Sequence, residues 1–140
     1  MGQAPSTSFE ASTNPFTDVQ VVVGHKDRVR CLVKVNKHLI ASGADDGSVV
    51  VWDSLAGSRV HSLNGHTLPI TCLLAVPLGK GQEVLVSGSS DRTIRVWDIT
   101  SGQCLYKLSG HNGSVTCLVQ LTGSPHLVCS GGNEDRKSVV

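Results

Sequence analysis

No block of like charge occurs in this sequence: 12 Lys and Arg are interspersed with 11 Asp and Glu over 140 residues, for a formal net charge of +1. The electrostatic footprint of a duplex-binding protein or a polybasic membrane anchor is missing, so nucleic acid is not an expected partner. Uninterrupted apolar stretches fall far short of the roughly 18 residues that a transmembrane helix needs. Residues 1–20 carry no Lys or Arg and no apolar core segment, and so read neither as a secretory signal nor as an Arg-rich transit peptide. The expected location is the cytosol.

Two further absences narrow the chemistry. The five cysteines are odd in number and form no CxxC pair, which argues against a disulfide scaffold or a zinc site. Cys31, Cys72 and Cys117 each lie six residues after a Gly-His dipeptide, inside strand-like runs, and are expected to be free buried thiols. There is no phosphate-binding GxxxxGK, since Gly79-Lys80 lacks the upstream glycine. Neither a metal nor another cofactor is expected. The Asn112-Gly113-Ser114 sequon carries little weight without a secretory route.

What the sequence has is a repeat. Gly24-His25, Gly65-His66 and Gly110-His111 recur 41 and then 45 residues apart. Ser42-Gly43-Ala44-Asp45-Asp46 and Ser87-Gly88-Ser89-Ser90-Asp91 follow the first two, and six residues after each final Asp comes Trp52-Asp53 or Trp97-Asp98. The longer second period is expected to hold its extra residues in a loop over Pro77-Leu78-Gly79-Lys80-Gly81. Each full period contains four short β-branched and aliphatic runs separated by turn residues; in the second these are 70–74, 84–87, 93–97 and 103–108. Four antiparallel strands per unit follow. Val49-Val50-Val51-Trp52 is apolar without alternation, as for a strand covered on both faces.

A unit of this length, with four strands, a Gly-His start and a Trp-Asp end, resembles the WD-repeat family, whose units are blades of a β-propeller. The implied fold is all-β: two complete blades and half of a third over 18–140, with repeats beginning near Gly24, Gly65 and Gly110 and a disordered tail over 1–17. The resemblance also implies that Val19-Gln20-Val21-Val22-Val23 is an outer strand of the kind that seals a propeller ring. Two and a half blades do not close a ring, so the chain is expected to be part of a longer protein, or else to borrow blades.

His66, Ser87 and Asp91 look like a hydrolase triad, but the set recurs as His25, Ser42 and Asp46, each joined by a Trp, whereas a catalytic site is normally assembled once. Donor and acceptor inventories give a structural account instead: Trp97 Nε1–H donates to Ser87, Ser87 donates to His66, and the other His66 nitrogen donates to Asp91. The resemblance implies the same tetrad in His25, Ser42, Asp46 and Trp52, and no catalytic residue. The third unit retains His111 and Ser130, and its acid is either Glu134 by spacing or Asp135 by residue type.

The expected function is a non-catalytic protein-interaction scaffold without a small-molecule substrate. Candidate contacts lie in the loops before each first strand and in the polar turns, at Lys26, Arg28, Asp45 and Arg92. Within the family, the quoted motifs are similar to the N-terminal part of a subunit that joins two DENN-domain proteins. That resemblance implies DENN-domain partners and a role at the lysosomal surface in autophagy and small-GTPase regulation. The alternative is another cytosolic WD-repeat adaptor, such as a ubiquitin-ligase substrate receptor. Met1-Gly2-Gln3-Ala4-Pro5-Ser6 fits the N-myristoylation pattern at Gly2, but reads rather as a chance match in a Ser/Thr/Pro-rich tail, since one acyl chain without a basic cluster holds a membrane only marginally. Ser138-Val139-Val140 resembles a PDZ ligand but reads better as the start of a strand.

Overall fold

The computed structural model describes residues 23–121 and 128–133. The proposed tail, Gly2, the strand residues before Val23, and both candidate third acids lie outside them. Strands β1 (Val29–Lys34), β2 (Leu39–Ala44), β3 (Val49–Asp53) and β4 (Arg59–Leu63) form a four-stranded sheet in sequence order. Strands β5 (Ile70–Gly79), β6 (Gln82–Ser89), β7 (Thr93–Asp98) and β8 (Cys104–Ser109) form a second, and β9 (Ser114–Gln120) pairs with β10 (Val128–Asn133). Every pairing is antiparallel. The described residues contain no helix. The architecture is two four-stranded blades and the first two strands of a third.

The turns follow from the repeated polar residues. In the β3–β4 turn the Asp53 carboxylate accepts from the amides of Leu55 and Ala56 at 2.8 and 3.0 Å, and Gly57 completes the turn at φ 68°. Those amides hold the Asp53 carboxyl below its ordinary range. Asp98 accepts from the Thr100 amide at 3.0 Å in the β7–β8 turn, where Gly102 has φ 75°. The Asp of each Trp-Asp pair is thus a turn cap.

The loop expected over Pro77–Gly81 is instead a longer hairpin. Pairing continues through Pro77 opposite Glu83 and Gly79 opposite Gln82, leaving Lys80-Gly81 as a two-residue turn with φ of 55° and 75°. Positive φ at both central residues marks the hairpin turn whose twist matches the flanking strands. The extra residues lengthen the strands, because a prolyl residue is tolerated on an edge strand such as β5.

Two apolar clusters hold the blades together face to face. One joins Ala41, Val49, Val51 and Leu63 of the first blade to Ile70, Leu85, Trp97 and Ile99 of the second. The other joins Val76, Val84, Val86 and Ile94 to Val115 of β9. All four residues of the Val49–Trp52 run are buried, as its unbroken apolar pattern requires. The thiols differ from expectation: Cys31 and Cys72 are half-buried, whereas Cys104 and Cys117 are exposed. Cys117 occupies the same repeat position as Cys31 and Cys72 but lies on β9, where no described strand covers its face.

Candidate functional site

Each Gly-His dipeptide sits just before the first strand of its blade, and its imidazole reaches back across the sheet. In the second blade the indole Nε1–H of Trp97 donates to Ser87 Oγ at 2.8 Å, and Ser87 Oγ lies 2.7 Å from His66 Nε2. His66 Nδ1 lies 2.9 Å from Asp91 Oδ2. The indole can only donate, so the Ser87 hydroxyl spends its one proton on Nε2, and the neutral imidazole carries its hydrogen on Nδ1, pointing at the carboxylate. The expected relay is present in full.

Burial and the polar contacts act in opposite directions on both partners. Burial lowers the His66 pKa, against the opposing pull of Asp91. Burial alone would raise Asp91, but hydrogen bonds from the Thr93 hydroxyl, His66 and the Thr67 amide outweigh it and hold the carboxyl down to about 2. With the Ser87 proton committed to His66, a lone pair to the Trp97 indole, and Ser87 fully buried, its hydroxyl has no exposed face for a substrate.

The first blade repeats the inner half of this relay and departs from its outer half. Trp52 Nε1–H donates to Ser42 Oγ at 2.8 Å, and Ser42 Oγ lies 2.7 Å from His25 Nε2. His25 Nδ1, however, is 3.8 Å from Asp46, outside hydrogen-bonding range. It meets Ser48 Oγ at 3.0 Å, and Ser48 donates to Asp46 Oδ1 at 2.6 Å. The direct His25–Asp46 bond expected from the repeat is therefore replaced by a hydroxyl bridge. In the second blade the equivalent hydroxyl, Thr93 Oγ1, donates to Asp91 Oδ1 at 2.6 Å while the direct histidine bond is kept. This fifth member was missed from sequence, although a hydroxyl residue stands two positions after the acid in both units. In the third unit His111 Nε2 and Ser130 Oγ are 2.8 Å apart.

Arg95 was also missed. Its guanidinium donates to the Gly65 carbonyl at 3.0 Å and stacks 5.9 Å from the Trp97 ring centre, within cation–π range. The repeat-equivalent residue in the first blade is Val50, and no residue pattern announced a cation there.

The candidate partner contacts are not equally free. Asp45 is mostly covered because Arg28 and Arg30 both pair with it, Arg28 at 3.5 Å. Arg28 itself keeps 77% of its side chain exposed. The Lys26 amide donates to Asp46, leaving the Lys26 side chain at the surface. Arg92 is exposed and has φ 74°, where the equivalent first-blade residue is Gly47 at φ 81°. A side chain in that region carries a strain of about 1–2 kcal/mol. Among the described residues, no group of three or more His, Cys, Asp or Glu is arranged to hold a metal ion.

Comparison with known proteins agrees with this architecture. The chain is 43% identical over 68 residues to the human protein WD repeat-containing protein 41, a match taking in 49% of this chain and 15% of that protein. The mouse protein of the same name is 42% identical over 64 residues, covering 46% of this chain and 14% of its own length. A solved structure described as that of U3-55K superposes with a TM-score of 0.73 at 29% identity, covering 80% of this chain and 35% of that one. The sequence model of the WDR41 β-propeller family matches residues 6–138, and the chain belongs to that family.

Proposed function

We propose that this chain is part of a non-catalytic scaffold that binds proteins through its exposed loops. The observation that carries this reading is the relay itself: the histidines, serines and acids that would suggest catalysis are consumed in hydrogen bonds that tie loop to blade, leaving the rim as the available surface. Lys26, Arg28 and Arg92 are the contacts it favours. The strained backbone at Arg92, where the other blade has glycine, supports a functional demand at that turn. The likeness to WD repeat-containing protein 41 supports a finer reading, in which the partners are two DENN-domain proteins and the scaffold works in the cytoplasm at the lysosomal surface, in autophagy and small-GTPase regulation. Co-expression of the tagged chain with those two proteins tests it. Co-elution that falls in the Lys26→Ala/Arg28→Ala/Arg92→Ala variant supports the reading. Elution of a folded chain without either protein overturns the DENN assignment.

A further inference from the structure

The chain contains two Asn-Gly dipeptides, Asn64-Gly65 and Asn112-Gly113, and the fold holds them differently. Asparagine before glycine is open to attack from within, because a following residue with no Cβ lets its amide nitrogen approach the asparagine side chain. The attack closes a succinimide ring. It needs the main chain to turn at the asparagine, so that the next nitrogen faces Cγ.

The repeat supplies such a turn at fixed slots. The chain bends at Lys26 and Asp27, at Thr67 and Leu68, and at Asn112 and Gly113, the two residues after each relay histidine. Lys26, Thr67 and Asn112 are all exposed. Thr67 keeps its exposure in a blade with strands packed on both faces, so the slot itself faces solvent. Asn112-Gly113 fills both bend slots, and among the described residues no hydrogen bond ties the Asn112 side chain or the Gly113 N–H. Asn64-Gly65 stands before the histidine instead, where the chain does not bend. There Asn64 follows Leu63, which is buried and paired with Val49 on β3. Gly65 is clamped, since Arg95 donates to its carbonyl at 3.0 Å and its guanidinium lies 2.8 Å from where a Cβ would stand.

We propose that Asn112 is a covalent modification site, at which the native fold allows deamidation while it holds Asn64 back. A solvent base takes the Gly113 N–H proton, the nitrogen attacks Asn112 Cγ, and the Cγ–Nδ2 bond breaks, releasing Nδ2 as ammonia. Water then opens the succinimide. Cleavage of its Cγ–N bond leaves an aspartyl residue, and cleavage between the nitrogen and the main-chain carbonyl carbon leaves an isoaspartyl residue. Either product places a new carboxylate on the rim, in the slot that Lys26 holds in the first blade. The isoaspartyl product also lengthens the main chain by one carbon between His111, anchored on Ser130 at 2.8 Å, and Ser114, where β9 begins. Its free α-carboxylate is of the substrate class of methyltransferases that esterify isoaspartyl groups with S-adenosylmethionine.

Incubation of the chain in mildly alkaline buffer, folded by circular dichroism and in parallel unfolded in urea, tests the proposal. Tandem mass spectrometry of tryptic peptides reads each site by the mass gain of amide turning to acid, Asn64 in 60–80 and Asn112 in 108–136. In the folded chain Asn112 is expected to deamidate several-fold faster than Asn64, and in urea the two rates converge. Gly113→Ala is expected to slow Asn112 several-fold and to leave Asn64 unchanged; the wild-type comparison stands whether or not that variant folds. An Asn112 that stays intact in the folded chain overturns the proposal. So do folded-state rates that are equal or favour Asn64, an Asn112 advantage that persists in urea, or a folded Gly113→Ala chain that loses the Asn112 amide at the wild-type rate.

Discussion

His25 and Asp46 do not touch: their nearest atoms are 3.8 Å apart, and the Ser48 hydroxyl fills the gap, accepting from the imidazole at 3.0 Å and donating to the carboxylate at 2.6 Å. His66 and Asp91, at the same repeat positions, are in direct contact at 2.9 Å. Removing the hydroxyl therefore has different consequences in the two blades. Ser48→Ala leaves a buried imidazole N–H without an acceptor, whereas Thr93→Ala leaves His66 bonded to Asp91. Ser48→Ala is expected to cost about 1 kcal/mol more than Thr93→Ala, the penalty of an unsatisfied buried donor. Urea unfolding of both variants at one protein concentration measures the difference. Equal losses would mean that Asp46 moves in to bond His25 directly.

The same comparison marks how much was legible from residues alone. Strand number, blade boundaries and the inner relay of Trp, Ser and His could be read because their chemistry recurs at fixed spacing, and a buried indole N–H must find an acceptor. The outer relay was only half legible. An Asp two residues before a hydroxyl can bond the histidine directly or through that hydroxyl, and a shift of about one ångström, which spacing does not encode, decides between them. The Pro77–Gly81 segment was misread because Gly, Lys and Pro signal a loop by composition, while the register of β5 on β6 turns the same residues into a hairpin. Arg95 could not be found by repeat reasoning, since its counterpart is Val50 and its partners, Gly65 and Trp97, are assembled only by the fold.

Acid is expected to loosen the second blade in two stages. His66 has a lowered pKa in the folded state, so unfolding takes up protons once the pH falls below the ordinary histidine value of about 6.5, and stability declines from there. Asp91, held at about 2 against an ordinary 3.8, contributes stability that is complete above pH 4 and is lost between about pH 4 and 2. Asp91→Ala removes that second stage and costs about 1–3 kcal/mol at neutral pH by stranding the His66 N–H. Unfolding midpoints of wild type and variant across pH 2 to 7 check the sign. A variant that keeps the wild-type loss between pH 4 and 2 would assign that loss to other carboxylates.

The cysteines should react in an order set by burial. Burial raises the Cys31 thiol to about 11 and raises Cys72 as well, so both hold little thiolate at neutral pH. Cys104 is exposed on β8. Maleimide labelling of the native chain, followed by peptide mass analysis, is expected to modify Cys104 well before Cys31 or Cys72. Early labelling of Cys72 would show that the blades separate on the labelling timescale.

The glycine of the Gly-His dipeptide recurs three times, but the structure gives each copy a different environment. A Cβ on Gly24 would lie 2.3 Å from the Trp52 ring, which is buried and anchored through its indole to Ser42 and so has no room to retreat. On Gly65 it would meet the Arg95 guanidinium at 2.8 Å, the far end of a flexible side chain that can shift. On Gly110 it would meet no described residue within 4 Å. Gly24→Ala is therefore expected to destabilise by about 1–3 kcal/mol, as overpacked cores do. Gly65→Ala should cost less. Gly110→Ala should be neutral or slightly stabilising, since alanine restricts the unfolded chain. Urea midpoints for the three variants give the ranking directly. A loss at Gly110 equal to that at Gly24 would show that the dipeptide needs glycine for backbone conformation, whatever packs against it.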